Sequence, residues 1–358
     1  MELAELFNEI YYMPDSQARV DALKEAIRLA DQEGDAKYGF RFREELISNA
    51  SIYGIYADVR DALVAFGWIL GHIDKHGFAS VYDVHDMLDQ YQWICCKIGI
   101  YPEISLAQIH SLFYDFKQRL SAAGYSLRAY HEVQIHQGMV LDDIKMATEG
   151  FRGYFGGKKD SIVRCDACID GVYVKYHVFT GDHDGAMLAA RDLINGKKSC
   201  NANPRAAFNN LLLSALEHNI AGEEIEKIRQ RAYTRIKDDP FFMDFIGWHL
   251  IYLARTDAAK GLNMYKKHLP WSFSSHRTPL NHYAFNIGAA VLLKTLAAKR
   301  QSFKANISEK FPLYNPGDTY NFDELARHHY ELAKDIAAQY DARNGTAGYT
   351  DRLERFMS

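Results

Sequence analysis

Three thiols have the spacing to do chemistry in this chain: Cys165 and Cys168, three positions apart, and then Cys200. A C-x2-C pair with a further cysteine supplies most of the ligand set of a structural zinc ion, which takes four. Whether the thiols meet depends on the helices that carry them. Residues 165–180 read as one helix, Gly181-Asp182-His183-Asp184-Gly185 as a turn, and residues 186–195 as a returning helix. Cys200 then falls back at the end where Cys165 and Cys168 begin. The fourth ligand is not on this hairpin: His177 stands roughly 18 Å along the helix from Cys165, and His183 lies at the same far end. His131, early in the preceding helix, or a carboxylate such as Asp166 is better placed. Two readings stay open, a zinc site or half-buried thiols in a reducing compartment.

Other chemistries fail on spacing. His131 and His136 flank Glu132 five residues apart, whereas a zinc-protease helix needs its histidines four apart. Gly150 to Lys159 is glycine-rich and basic, but Lys159 and Asp160 follow Lys158 where a phosphate loop needs Ser or Thr, and no strand precedes it. There is no Gly-x-Ser-x-Gly elbow. A redox use of Cys165–Cys168 needs a βαβ setting, and this neighbourhood reads as helical. Adjacent Cys95 and Cys96 point about 100° apart on a helix and read as packing residues.

The elements that must position the thiols are helices throughout. Apolar residues recur at helical period, as at Val20, Leu23, Ile27 and Leu29, and period-2 alternation is nearly absent. A net charge of −4 with scattered Lys and Arg leaves no footprint for nucleic acid. No apolar run approaches the ~18 residues of a membrane helix. The acidic start, Met1-Glu2-Leu3-Ala4-Glu5, is unlike a secretory signal. Five cysteines in 358 residues are no disulfide framework. The expectation is a cytoplasmic protein without membrane or nucleic-acid partners.

The breaks between helices repeat. Gly181 to Met187, Asn219 to Ile225 and Thr256 to Leu262 begin 38 and then 37 residues apart, each a polar turn followed by small and apolar residues. Ala57 to Leu63 is a fourth copy, and Gln137 to Ile144 a weaker fifth. A two-helix unit with a period in the thirties indicates an α-solenoid. At these residues the chain resembles the tetratricopeptide repeat family, with Thr180 to Ala190 and Ala254 to Leu262 the closest copies. As a whole it resembles bacterial tetratricopeptide-like proteins of uncertain role. The resemblance implies an all-α, right-handed solenoid of stacked hairpins and hands over no activity. Residues 306–321, with two prolines in Phe311 to Asp318, read as a loop, and 321–340 as a C-terminal capping helix. Three stretches follow, 1–155, 156–304 and 305–358, in one continuous superhelix.

A solenoid's asset is its concave groove, lined by first helices. Asn209, Asn210, Asp244 and His249 sit partway along first helices and are candidates for contacts to a peptide. Asn209 is the most suggestive, because an amide offers a donor and an acceptor to a backbone. The expected function is a non-enzymatic scaffold for a protein or peptide partner, with a zinc-supported hairpin. Two alternatives remain: a peptide-gated regulator of the bacterial pheromone-receptor type, which lacks a helix-turn-helix signature here, and a zinc enzyme with an open fourth position.

Overall fold

The computed structural model describes residues 2–50, 58–77, 83–162, 164–273 and 278–358. Among them are eighteen α-helices, and 75% of the described residues are helical. Its contacts group into two compact units of discontinuous stretches, where the sequence reading draws three consecutive segments. The first unit holds residues 1–99, 106–137 and 149–163; the second holds 100–105, 138–148 and 164–358.

The first unit contains α1 (Leu3–Tyr11), α2 (Gln17–Glu33), α3 (Ala36–Ser48), α4 (Val59–His76), α5 (Val84–Lys97) and α6 (Leu106–Ala122). It also takes most of α7 (Arg128–Val140) and of α8 (Ile144–Gly156). Side-chain caps start these helices where the sequence offers Ser or Asp. Ser16 accepts the Arg19 N–H of α2, and Asp15 instead pairs with the Arg19 guanidinium at 2.7 Å. Asp35, Asp58 and Asp83 cap α3, α4 and α5. The repeat copy that begins at Ala57 starts outside the described residues.

The second unit contains α9 (Asp166–Phe179), α10 (His183–Ala189), α11 (Arg191–Ile194), α12 (Arg205–Glu217) and α13 (Glu223–Thr234). It continues through α14 (Met243–Thr256), α15 (Ala258–His268), α16 (Pro279–Ala297), α17 (Phe322–Asn344) and α18 (Gly348–Met357). The three repeated breaks of the sequence each separate the two helices of one hairpin: α9 from α10, α12 from α13, and α14 from α15. First helices touch in series, α9 on α12, α12 on α14 and α14 on α16. Second helices reach forward, α10 to α12, α13 to α14 and α15 to α16. This is the neighbour-to-neighbour contact pattern of a helical repeat.

The tightest joint is between α14 and α16. A Cβ on Gly247 would stand 2.0 Å from the Ala284 carbonyl oxygen, and one on Gly288 would stand 2.2 Å from the Gly247 carbonyl oxygen. The two backbones touch, and no side chain larger than hydrogen fits. Around this crossing α16 is buried on every face, from Tyr283 and Phe285 to Leu293 and Leu296, as expected of a helix at the centre of a core.

The 306–321 region is a loop closed at its base. Ser302–Lys304 pairs antiparallel with Thr319–Asn321, Phe303 opposite Tyr320. Asn321 then caps α17. Its buried face is Phe322, Leu325, Ala326, His329, Ala333, Ala337 and Tyr340. Leu332, three positions after His329, is 39% exposed, because a full turn from His329 falls on Ala333. Gly345, at φ 70°, ends α17, and a further helix, α18, follows the single capping helix that the sequence reading draws.

Three residues of α18, Tyr349, Leu353 and Phe356, are buried on one face. The Tyr349 ring stacks on Tyr340 at 4.4 Å, and the Phe356 ring lies 5.9 Å from Trp248. Tyr283 donates to the Tyr349 carbonyl, while the Tyr349 hydroxyl donates to the carbonyl of Val140, 209 residues earlier. No described helix is long and apolar enough to cross a membrane.

Candidate metal centre

The helix–turn–helix logic of the sequence is realised at one end of α9. Cys165 is its N-cap, and its carbonyl accepts the N–H groups of Cys168 and Ile169 at 2.9 and 3.0 Å. One helical turn therefore carries both thiols of the C-x2-C pair. Gly181-Asp182 turns the chain, α10 and α11 return it, and residues 195–203 lead to α12. Ala190 interrupts the returning helix into those two short pieces.

The turn that bears Cys200 is held from both sides. Cys200 donates its N–H to the Asn203 carbonyl at 2.8 Å, and the Asn203 N–H donates back to Cys200 Sγ at 3.4 Å. Asn203 is itself buried, its Oδ1 accepting the Ala207 N–H. It presses against α9 at Gly171, where a Cβ would stand 2.5 Å from Asn203 Nδ2. Beside the turn, Lys198 Nζ lies 2.8 Å from Asp170 of α9. Packing, hydrogen bonds and an ion pair thus bring Cys200 to α9 before any metal is considered.

The result is a group of three sulfurs, Cys165, Cys168 and Cys200, all within 4.8 Å of one another. Cys168 Sγ and Cys200 Sγ are 3.5 Å apart. Tetrahedral zinc with Zn–S bonds of about 2.3 Å wants sulfurs about 3.8 Å apart, so only small adjustments separate this arrangement from a ligand set. Cys165 is exposed, and the other two are half-buried.

The thiols differ in acidity. Burial, followed by bonds to Cys200 and Cys165, pushes Cys168 up to about 12. Burial also opposes ionisation of Cys200. The Asn203 N–H, the Cys168 thiol, the Ala202 N–H and the Cys165 thiol outweigh it and hold Cys200 below its ordinary value. Cys200 ionises before Cys168, because backbone donors already point at its sulfur.

The other predicted ligands are not among the clustered donor atoms. His131, proposed as fourth ligand, belongs to the first unit, with Nδ1 2.7 Å from Gln134 Oε1 and its ring against Gly153. Asp166 opens α9 but is not among the clustered donor atoms. His177 pairs with Asp182 and His183 with Ser214, both at the far end of α9.

Two of the four groove candidates need correction. Asn209 and His249 are fully buried, and Asn209 Oδ1 lies 2.9 Å from His249 Nε2. The amide that looked free to clamp a peptide joins α12 to α14 instead, so neither residue faces a groove. Burial first, then Arg229 and His268, pushes His249 down to about 3. Asn210, half-buried, donates to the Ala206 carbonyl at 2.8 Å. Asp244 is half-buried in the first turn of α14.

The sequence reading missed a second donor group, Asp83, His85 and Asp86 at the start of α5. There Asp83 already accepts the Asp86 N–H as the helix cap, and both carboxylates are exposed. Cys95 and Cys96 are not among the clustered sulfurs, and Cys95 is fully buried.

No protein-family model matches this chain, and no curated protein or solved structure matches it.

Proposed function

We propose that this chain is a right-handed, tetratricopeptide-like scaffold that binds a protein or peptide partner. In this reading a zinc ion closes the first hairpin of its second unit through Cys165, Cys168 and Cys200. The observation that carries it is the meeting of three sulfurs from two segments 32 residues apart within 4.8 Å. Thiolates at this spacing suit zinc, and the serial contacts of α9, α12, α14 and α16 suit a surface-presenting repeat. Binding energy from such a metal adds to folding, because the unfolded chain holds no preformed cage. With Asn209 and His249 enclosed, the partner-contacting candidates are Asn210 and Asp244. The work of the protein is recognition rather than turnover, in a compartment reducing enough to keep the thiols free.

Elemental analysis of chain purified without chelator tests the metal: about one zinc per chain is expected, and close to none from Cys168→Ser. A zinc-free wild type removes the reading. A captured partner must be lost on Asn210→Ala or Asp244→Ala and kept on substitution of an exposed residue of the first unit. Capture indifferent to both groove residues counts against the surface named here.

A further inference from the structure

We infer that the three-thiol cluster is a redox switch: a peroxide joins Cys168 and Cys200 in a disulfide, which empties the metal site and leaves Cys165 as a free thiol. The disulfide stands on geometry alone. Its consequence, release of zinc, rests on the zinc reading of the preceding section.

Within the group of Cys165, Cys168 and Cys200, the sulfurs of Cys168 and Cys200 are in contact at 3.5 Å. A disulfide holds its sulfurs about 2.05 Å apart, so roughly 1.5 Å of closure separates contact from bond. The two thiols come from different segments, α9 and the turn before α12, and that turn is already fixed on α9. Asn203 is buried against Gly171, its N–H donates to Cys200 Sγ at 3.4 Å, and Lys198 pairs with Asp170 at 2.8 Å. Two reacting groups held in contact meet as one molecule rather than two. The second thiol therefore captures the first before oxidation goes further. Cys165, exposed at the N-cap of α9, is the thiol left over.

Two thiols and one hydrogen peroxide give one disulfide and two waters. The first sulfur attacks a peroxide oxygen, becomes a sulfenic acid and releases one water. The second sulfur attacks the first and expels its oxygen, which leaves with a proton as the second water. Two electrons pass from the sulfur pair to the broken O–O bond. Zinc is held by thiolates, and a disulfide has none, so two of the three ligands are lost in one step. Both closures tie Cys200 to α9, so oxidation empties the site without opening the hairpin. Thiol–disulfide exchange with a reductant restores the ligands.

The test treats full-length reduced chain, metal-free and zinc-loaded, with hydrogen peroxide, then alkylates it and maps its peptides by mass without reductant. In the metal-free chain a Cys168–Cys200 crosslink should form, lighter by the two lost hydrogens and reversed by dithiothreitol. Cys165→Ser should keep that crosslink. In the zinc-loaded chain a zinc-responsive dye should report metal released in step with the crosslink and taken up again after reduction. A Cys165–Cys168 crosslink in its place overturns the pairing. No crosslink in the metal-free chain, with or without sulfinic acid at these residues, overturns the inference and leaves the zinc reading standing. A zinc-loaded chain inert to peroxide while the metal-free chain is crosslinked overturns the coupling to metal. A chain that takes up no zinc yet forms the crosslink removes the metal reading and keeps the disulfide.

Discussion

Two joints in the second unit hold neighbouring helices by opposite means. At α14–α16 the backbones meet through Gly247 and Gly288, inside a core of aliphatic and aromatic side chains. At α9–α12 a polar turn is laid against a helix, and three thiols meet at the surface. The first joint is steric and needs no metal or thiol chemistry. On the zinc reading, the second has a strength that metal, oxidant and acid each change. Dispersion and burial give a contact that is always on, while thiolates give one that can be loaded or emptied.

The largest expected effect comes from breaking the steric joint. Gly247→Leu places a side chain where even a Cβ would be 2.0 Å from the Ala284 carbonyl. The cost should exceed about 3 kcal/mol, the upper part of the usual range for overpacking. Urea unfolding of the variant checks this, and an unchanged midpoint would mean that the helices separate freely.

The thiol joint should respond to metal instead. Free zinc at about 100 times its Kd contributes about 2.7 kcal/mol. Chelator should therefore lower the thermal midpoint of the wild type and do little to Cys168→Ser. Equal response of the two proteins would disconnect stability from the thiols.

Acid sharpens the contrast, because the packed region has its own titrating groups. His329 is fully buried between Asn286, 2.7 Å from its Nδ1, and Tyr265, whose hydroxyl lies 2.9 Å from its Nε2. This network assigns the proton to Nδ1. Burial, and to a lesser extent His328, pushes His329 down to about 3, so it stays neutral in the fold but charges near 6.5 when unfolded. Stability linked to His329 is thus complete above about pH 6.5 and falls as pH drops toward 3. The slope approaches about 1.4 kcal/mol per pH unit for this one residue. Denaturant titrations of chelated protein from pH 7 to pH 5 should show that slope reduced in His329→Gln. Parallel curves would place the acid sensitivity elsewhere.

The smallest effects are expected nulls that localise the metal. Cys95→Ser, Cys96→Ser and His131→Ala should each leave zinc content unchanged. A loss of zinc in His131→Ala would restore that histidine as a ligand.

The convergence of the thiols was legible because it needs only helix arithmetic. One turn joins Cys165 to Cys168, and a long helix out and a returning pair bring Cys200 back. The hairpin turns were legible for the same local reason, since small residues and polar caps mark them in the sequence. What escaped depends on register between elements distant in sequence. Nothing near Asn209 announces that His249, forty positions on, will meet its amide. The same holds for Phe303 opposite Tyr320, and for Gly247 against Gly288, two glycines that in isolation look like weak points of their helices. The break before α18 was signalled by Gly345, a C-cap residue in the left-handed region. Where α18 docks was not, because Tyr349 is an ordinary aromatic until Tyr340, Tyr283 and Val140 surround it.

That docking sets a timetable for synthesis. The Tyr349 hydroxyl closes on a carbonyl 209 residues upstream, so the Val140 turn must wait on the ribosome for its partner. At roughly 5–20 residues per second the delay is about 10–40 s, long compared with the formation of a single hairpin. During that interval Trp248 and the Tyr283 side of α16 lack the cover of α18 and are open to holding chaperones. Nascent chains stalled before residue 345 should therefore be cut by protease within the second unit, and chains stalled on a flexible linker added after residue 358 should resist. Equal resistance at both lengths would show that the stack matures before its last helix arrives.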